Sequence, residues 1–295
     1  MKIKLLFLPW YHKGLSTGEL YVYGCPNSCV YCFYSRYPLL GMKDPEEVAE
    51  DLKTLSKKYR TRYFFILNTE INPTYEYAES FADEIIKNDV IISWSDCATF
   101  KNMDAKLLRK LKEAGAARLI WGLESGSPRI LDYIQKNVAL SHVETCLKES
   151  YKIGIWNQFD MICGFPYEKE TDIRLTISFL KQNKDYINEV TLNKFFIDGL
   201  FQRFPKKYGI RLKETQKIYR DWSTIPFDEL NGMCWEKKIK QTLKFYDELM
   251  KAFAEFGIPG ARPIHHVFHI INLQRNLDIK FSKVDHIVTT SEPLV

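Results

Sequence analysis

Apolar and polar positions alternate along residues 18–196 so that strand-like and helix-like segments follow one another. Short, nearly continuous apolar runs predict buried strands, and stretches with apolar residues at helical spacing predict helices. The predicted strands are 18–24, 63–67, 90–94, 119–123, 158–163 and 190–196. The predicted helices between them are 45–56, 75–86, 104–114, 129–135, 142–152 and 172–182.

This order predicts an α/β protein. Strands that are apolar along their whole length are typical of a parallel sheet buried on both faces, and right-handed crossovers curl such a sheet. We therefore expect a partial (β/α)6 TIM-like barrel, with its chemistry at the carboxyl ends of the strands. After residue 200 the alternation stops, and a predicted helix at 235–256 is followed by an irregular tail. We expect a core barrel at 1–200 and a C-terminal helical and irregular appendage at 201–295 that covers the barrel mouth.

Composition narrows the class of protein. The chain has 295 residues, of which 45% are hydrophobic, so it can bury a large core and is neither disordered nor collagen-like. The net charge of +5 is modest and spread along the chain, which does not predict a nucleic-acid binder. The apolar run at 5–10 is too short for a membrane span or a secretory signal. We predict a cytoplasmic protein without a membrane partner.

Three of the seven cysteines stand together. Cys25, Cys29 and Cys32 form a C-x3-C-x2-C segment directly after the first predicted strand. Structural zinc needs four ligands, commonly two cysteine pairs, and the next cysteine, Cys97, is isolated. Three thiolates instead fit a [4Fe–4S] cluster with one iron left for a ligand that is not protein. The alternative is a chance grouping in a hydrophobic loop, which the reactivity of clustered thiols disfavours.

The cysteine segment, with the aromatic Tyr31 directly before the third cysteine, resembles the radical S-adenosylmethionine (SAM) superfamily. The resemblance covers about 20–196 and is most similar to the cobalamin-type and methylthiotransferase-like branches. Two further segments carry it in the family's order. GLESGS at 122–127 is similar to a GxESGS segment, and GFPYE at 164–168 is similar to a GxPxE turn.

The resemblance implies a set of cofactor-binding residues. Glu124 shares strand parity with Ile120 and Gly122, so it reaches the barrel mouth, where its carboxylate can accept both ribose hydroxyls of a nucleoside. The alternative is a solvated loop acid. Ser125 would help to position the cofactor, and Gly164 would let adenine approach the fifth strand closely.

Three further residues have competing interpretations. Family members often carry a GGE-like segment for the methionine amino group; this chain has Asn-Thr-Glu at 68–70, so Glu70 is a candidate, with helix capping near residue 74 as the alternative. Tyr31 is expected beside the adenine, or else is a core aromatic residue. Lys136 is expected to meet the cofactor carboxylate, or else is a solvated helix charge.

The implied chemistry is radical chemistry. SAM chelates the open iron, an electron from the cluster cleaves its sulfonium bond, and a 5′-deoxyadenosyl radical removes a hydrogen atom from a peptide or small-molecule substrate. A flavodoxin- or ferredoxin-type protein would supply the electron. Epimerisation, rearrangement, elimination or dehydrogenation would follow.

Two other functions stay open. Cys25 lies 24 residues after Met1 and no cysteine array follows residue 200, so we expect neither an attached cobalamin domain nor a second cluster. A methyltransferase core that takes cobalamin from a separate subunit is one alternative. A non-enzymatic iron–sulfur electron carrier is the other, and the nucleoside-binding segments argue against it.

Cys234 is a candidate catalytic residue because a thiol in the predicted appendage could give a hydrogen atom to a substrate radical. The alternative is a small buried hydrophobic residue, which is how free cysteine usually behaves. His265, His266 and His269 have no cysteine or carboxylate at ligand spacing, so we expect structural or substrate-contacting roles and no metal beyond the cluster.

Overall fold

The computed structural model describes residues 21–36, 40–59, 62–66, 68–213, 217–219 and 222–260. Five parallel strands form the main sheet, and strands that are neighbours in space are also neighbours in sequence. The sheet curls into a half-barrel, which confirms the predicted α/β partial barrel. The strands are β3 (Tyr63–Phe65), β4 (Ser93–Ala98), β5 (Ala116–Glu124), β6 (Trp156–Cys163) and β7 (Glu189–Lys194).

The first predicted strand differs from the expectation. In the described chain it is only β1 (Val22–Tyr23), which pairs antiparallel with β2 (Gly41–Met42) outside the five-stranded ladder. Residues 18–20 lie outside the described residues. β4 also begins three residues later than predicted. Val90 and Ile92 are buried like strand residues, but they lie in the segment that leads into the strand, so the apolar run starts before the strand does.

Six helices alternate with these strands. All but the short fourth helix contribute to the core on one face of the sheet, whereas the fourth packs into a second apolar cluster with Val30 and Phe165. The six helices are α1 (Pro45–Tyr59), α2 (Tyr75–Lys87), α3 (Ala105–Glu113), α4 (Pro128–Tyr133), α5 (Leu140–Lys152) and α6 (Glu170–Asn183). Side-chain caps fix two of their starts: Thr74 accepts the backbone N–H of Tyr77, and Asp104 accepts that of Leu107. The core beneath the helices is aromatic, with Phe100 stacked on Trp121 at 4.5 Å between ring centroids.

The described chain after β7 consists of short elements followed by one long helix. It contains α7 (Gly199–Arg203), two short antiparallel pairs and the long helix α8 (Trp235–Phe256). α8 packs against α6 and against β6 and β7, so it extends the helical layer beside the sheet. The pairs are β8 (Ile210–Leu212) with β11 (Phe227–Glu229) and β9 (Lys217–Tyr219) with β10 (Trp222–Thr224).

None of the helices in the described part of the chain combines the length and the apolar character that crossing a membrane requires. The division into a barrel at 1–200 and an appendage at 201–295 stays a prediction.

Candidate active site

The face of the sheet opposite the helices is polar. Trp94, Leu119 and Trp121 pack in the core under the helices, so strand alternation turns their neighbours toward the inside of the half-barrel. Register aligns these inward residues across the strands. They are Ser95 and Cys97 of β4, Arg118, Ile120, Gly122 and Glu124 of β5, Gln158 and Asp160 of β6, and Glu189 and Thr191 of β7.

The loop that carries the three cysteines is held by backbone contacts from two later segments. Val30 donates its N–H to the Ile134 carbonyl at 2.9 Å, and Leu200 donates to the Val30 carbonyl at 2.7 Å. Gly199 has a φ of +57°, and a Cβ there would lie 2.5 Å from the carbonyl oxygens of Val30 and Cys32. Only glycine fits this approach, so the start of α7 clamps the cysteine loop.

A buried relay ties the start of that loop to the sheet. Asn68 accepts the Val22 N–H at 2.9 Å and donates its own amide to Asp96 at 2.8 Å. Asp96 also accepts the N–H groups of Asn68 and Cys97. Burial raises the pKa of Asp96 well above its usual value, and these donors work against that shift. The relay fixes the position of residue 70, two residues after Asn68.

Glu70 lies against the first cysteine. The Cys25 thiol donates to Glu70 Oε1 at 3.1 Å, and the Asn27 amide lies 3.2 Å from both Glu70 oxygens. Glu70 is buried. The alternative helix-capping role is wrong, because Thr74 caps α2 with its own side chain.

Glu124, Tyr31 and Lys136 form a second group at the mouth. Tyr31 donates its hydroxyl to Glu124 Oε1 at 2.7 Å, and Lys136 Nζ lies 3.2 Å from the same oxygen. Glu124 is 6% exposed, so it is not a solvated loop acid. The ammonium of Lys136 is likewise enclosed. Burial would lower its pKa, but the negative charges of Glu124, Cys29 and Glu70 and the hydrogen bond to Glu124 together outweigh burial and raise the pKa to about 12.

The backbone at the end of β5 aims Glu124 into the mouth. Its φ is +72°, a left-handed conformation that non-glycine residues rarely adopt, and the pairing with β6 slips between Gly122 and Glu124. Such bulges redirect a side chain, and such strain clusters at functional sites. A Cβ at Gly122 would lie 2.8 Å from Glu124 Oε1 and 3.0 Å from Lys136 Nζ, so glycine leaves room for the pair.

The turn after β6 brings backbone to the same mouth. Gly164 has a φ of +89°, and its N–H is accepted by Glu168 at 2.5 Å. Phe165 packs edge-on against Tyr31 at 5.8 Å between centroids. Tyr31 therefore joins the cysteine loop, Glu124 and this turn.

The chemistry of the three cysteines fits a [4Fe–4S] cluster, because three thiolates can hold three irons and leave the fourth open. Within the described residues no three His, Cys, Asp or Glu side chains converge as a single-ion site. In a [4Fe–4S] cluster each thiolate binds a different iron, so the thiolates stand apart. Burial raises the pKa of Cys25 to about 12, with Glu70 adding to the shift, and burial also raises those of Cys29 and Cys32. Only a strongly cationic group would keep these thiols deprotonated at neutral pH.

Two predicted residues lie elsewhere. Ser125 is buried with its Oγ 3.3 Å from Thr176 Oγ1 of α6, and it accepts the Ser127 N–H at the start of α4. Cys234 is exposed at the residue that precedes α8, so it is not a small buried residue. The three histidines at 265, 266 and 269 lie outside the described residues.

Sequence reasoning missed the supporting residues. The contacts of Asn27 with Glu70 and of Asn68 with Asp96 join positions 43 and 28 residues apart, so no local sequence pattern reveals them. Asp160 could have been found from strand parity alone. It lies inside the half-barrel, where burial and then the charge of Glu124 raise its pKa.

Comparison with known proteins gives one family and several relatives. The sequence model of the protein family described as "Radical SAM superfamily" matches residues 20–180 of this chain. An uncharacterised methyltransferase from Pyrococcus horikoshii is 28% identical over 163 residues, which is 54% of this chain and 35% of that protein. A putative methylthiotransferase from Methanocaldococcus jannaschii is 24% identical, over 72% of this chain and 50% of that protein.

The fold also matches solved structures. The radical SAM methyltransferase TsrM from Kitasatospora setae, with cobalamin and a [4Fe–4S] cluster bound, superposes with a TM-score of 0.62 at 10% identity. That match covers 87% of this chain and 60% of TsrM. The chain spans half or less of the length of the curated relatives described above.

Proposed function

The chain belongs to the radical S-adenosylmethionine superfamily, and we propose that this enzyme cleaves SAM reductively and abstracts a hydrogen atom from a polar substrate inside the half-barrel. Enzymes of this family use a [4Fe–4S] cluster and SAM. The observation that carries the proposal is the meeting of three elements at one mouth: the cysteine loop, the Glu124–Lys136 pair and the Gly164 turn.

Each element has a distinct task in this proposal. Cys25, Cys29 and Cys32 would hold three irons of the cluster. When bound, the reduced cluster and SAM together supply the one-electron cleavage that makes hydrogen abstraction possible. Glu70, beside Cys25, is suited to receive the amino group of SAM as a carboxylate acceptor.

The second group would hold the rest of the cofactor. Lys136 supplies a buried cation for the SAM carboxylate, and Glu124 supplies a carboxylate that can accept ribose hydroxyls. Tyr31 holds Glu124 in place and would offer a flat ring to adenine, and the backbone of the Gly164 turn, which packs on Tyr31 through Phe165, would lie beside it. Ser125 fixes the segment that follows Glu124 through its bond to the Ser127 N–H.

The inside of the half-barrel would receive the substrate. Gln158 donates to Thr191 at 2.7 Å and to Asp160 at 3.1 Å, which leaves its carbonyl oxygen buried and without a partner among the described residues. That oxygen is enclosed, but Asp160 and Thr191 beside it are half-buried, so the accessible wall is polar and favours a polar substrate over an apolar one. A peptide or a small metabolite fits this description.

Anaerobic reconstitution tests the proposal. We expect about four irons per chain, and 5′-deoxyadenosine and methionine from SAM after reduction with dithionite. Cys29→Ala should lose the cluster and the product. Cys146→Ala is the matched control, because Cys146 is also buried but lies on α5 in the helical layer. An intact cluster in Cys29→Ala, or about eight irons per chain, would contradict the proposal.

Methyl transfer is the second candidate. Two relatives described as methyltransferases favour it. One is the protein from Pyrococcus horikoshii, and the other is a cytidylyl-2-hydroxyethylphosphonate methyltransferase from Streptomyces wedmorensis that is 24% identical over 162 residues. Incubation with cobalamin separates the candidates. Retained cobalamin and S-adenosylhomocysteine among the products would support methyl transfer, whereas 5′-deoxyadenosine as the only nucleoside product supports hydrogen abstraction without methyl transfer.

One partner protein and one further residue of this chain belong to the proposal. A flavodoxin- or ferredoxin-type protein would replace dithionite as the electron donor. Cys234 stays a predicted hydrogen-atom donor: Cys234→Ala should still form 5′-deoxyadenosine but lose solvent deuterium from an inverted product. If this variant makes the same labelled product as wild type, Cys234 has no such role.

A further inference from the structure

The turn after β6 rests on a buried charge cluster that the proposed chemistry does not use. Glu168, at the end of this turn, is 2% exposed and accepts the Gly164 N–H. Glu229 of β11 is also buried and accepts the Tyr167 N–H at 2.7 Å. Two carboxylates from separate segments thus hold two N–H groups of one turn.

One buried lysine pairs with Glu229. Lys238 of α8 is 1% exposed, and its Nζ lies 3.2 Å from Glu229 Oε1 and 3.1 Å from Gln241 Oε1. Its positive charge also acts on Glu168, where it counters the burial that raises the pKa of that carboxyl to about 7. Burial of a lysine is unfavourable unless the charge is paired, and Glu229 provides that partner.

α8 also touches the turn directly. Thr242, one helical turn after Lys238, lies so close to Gly164 that a Cβ on the glycine would be 2.4 Å from Thr242 Cγ2. Thr242 and Lys238 are both buried on the inner face of the helix. The helix therefore meets the turn by packing at Gly164 and by charge at Glu168 and Glu229.

We propose that Lys238 is a positioning residue for the cofactor: through its ion pair with Glu229, which accepts the Tyr167 N–H, it holds the Gly164–Glu168 turn in the form that receives the nucleoside of SAM. This inference rests on the proposed function, which places SAM against that turn. It gives α8, which lies beyond the matched family region, a part in cofactor binding.

The affinity for SAM tests this role. In the reconstituted protein, Lys238→Met should weaken SAM binding by about tenfold or more in equilibrium dialysis, as loss of a supporting residue commonly does. Its iron content and the electron paramagnetic resonance spectrum of the reduced cluster without SAM should match wild type, whereas the change in that spectrum on adding SAM should diminish. Lys238→Arg, which keeps the charge, should recover most of the affinity.

Two controls separate positioning from general damage. Lys240→Met makes the same chemical change at an exposed position of α8 and should leave SAM binding unchanged. Leu249→Ala removes a fully buried side chain farther along α8 and should lower the melting temperature while leaving SAM affinity within about twofold of wild type.

If Lys238→Met does not fold, the double variant Glu229→Gln/Lys238→Met takes its place. The second change removes the buried Glu229 charge that Lys238→Met leaves unpaired. It should bind SAM more weakly than wild type. SAM affinity within twofold of wild type in the folded single variant, or in the double variant if the single does not fold, would overturn the inference. A wild-type protein that holds its cluster but binds no SAM would instead overturn the proposed function.

Discussion

Substitution of Glu124 by glutamine should both destabilise the protein and impair cofactor binding. The side chains of Glu124 and Lys136 are 7% and 14% exposed, and their charged atoms lie 3.2 Å apart. Removing one partner of a buried pair leaves the other charge uncompensated, which costs about 3–5 kcal/mol. For a protein of this size, roughly 2–4 °C per kcal/mol corresponds to a melting temperature lowered by roughly 10 °C.

A double variant separates the two effects. Glu124→Gln/Lys136→Met removes both charges, so most of the lost stability should return, because replacing a whole buried pair is often neutral. SAM binding should not return with it. A carboxylate that accepts hydroxyl hydrogen bonds contributes about 1.5–3 kcal/mol for each, so the SAM dissociation constant should rise by about ten- to a hundredfold or more.

Calorimetric melting and equilibrium dialysis with SAM measure these outcomes. Glu170→Gln is the matched control, because Glu170 pairs with Lys244 at the surface, where both side chains are more than half exposed. That change should barely alter the melting temperature, because exposed ion pairs contribute little to stability. If Glu124→Gln melts within 1–2 °C of wild type, about the change expected for the surface control, the two charges are not buried together and the reasoning is refuted.

Three further changes test other parts of the site. Glu168→Gln should change the pH dependence of stability. Burial, partly countered by Lys238, raises the pKa of Glu168 from 4.5 to about 7, so the folded state holds a proton that the unfolded state releases. In chemical denaturation, wild type should therefore lose about 3 kcal/mol more stability than the variant as the pH rises from 4.5 to 7.5. Equal slopes for the two proteins would contradict this. Gly164→Ala should cost about 2–5 kcal/mol, from its left-handed φ and the clash with Thr242, and Thr242→Ala should recover only part of that loss in thermal melts. Asn68→Ala should lower iron incorporation, because it removes the link from β1 to Asp96. The control Asn88→Ala, at the C-terminal end of α2, should not lower it. Equal iron content in the two variants would show that the relay is dispensable.

The sequence by itself determined the alternation of strands and helices, because apolar periodicity depends on which face of each element is buried. It also predicted the cysteine segment and the segments at 122–127 and 164–168, since loop chemistry there depends on residues only a few positions apart. Strand parity alone placed Glu124 at the mouth. The limits of β4 were missed because its inward residues, such as Ser95, are polar and break the apolar run that marks a strand.

Only the tertiary structure decided which side chains meet. The contacts of Glu70 with Cys25, of Tyr31 with Glu124 and of Lys238 with Glu229 join residues separated by 45, 93 and 9 positions, and no local pattern encodes such pairs. The left-handed backbone of Glu124 is likewise imposed by its surroundings, because a glutamate in isolation avoids that conformation. Charge pairing and backbone strain persist at this mouth because the packed sheet and helices hold them there, and that packing is a property of the whole chain.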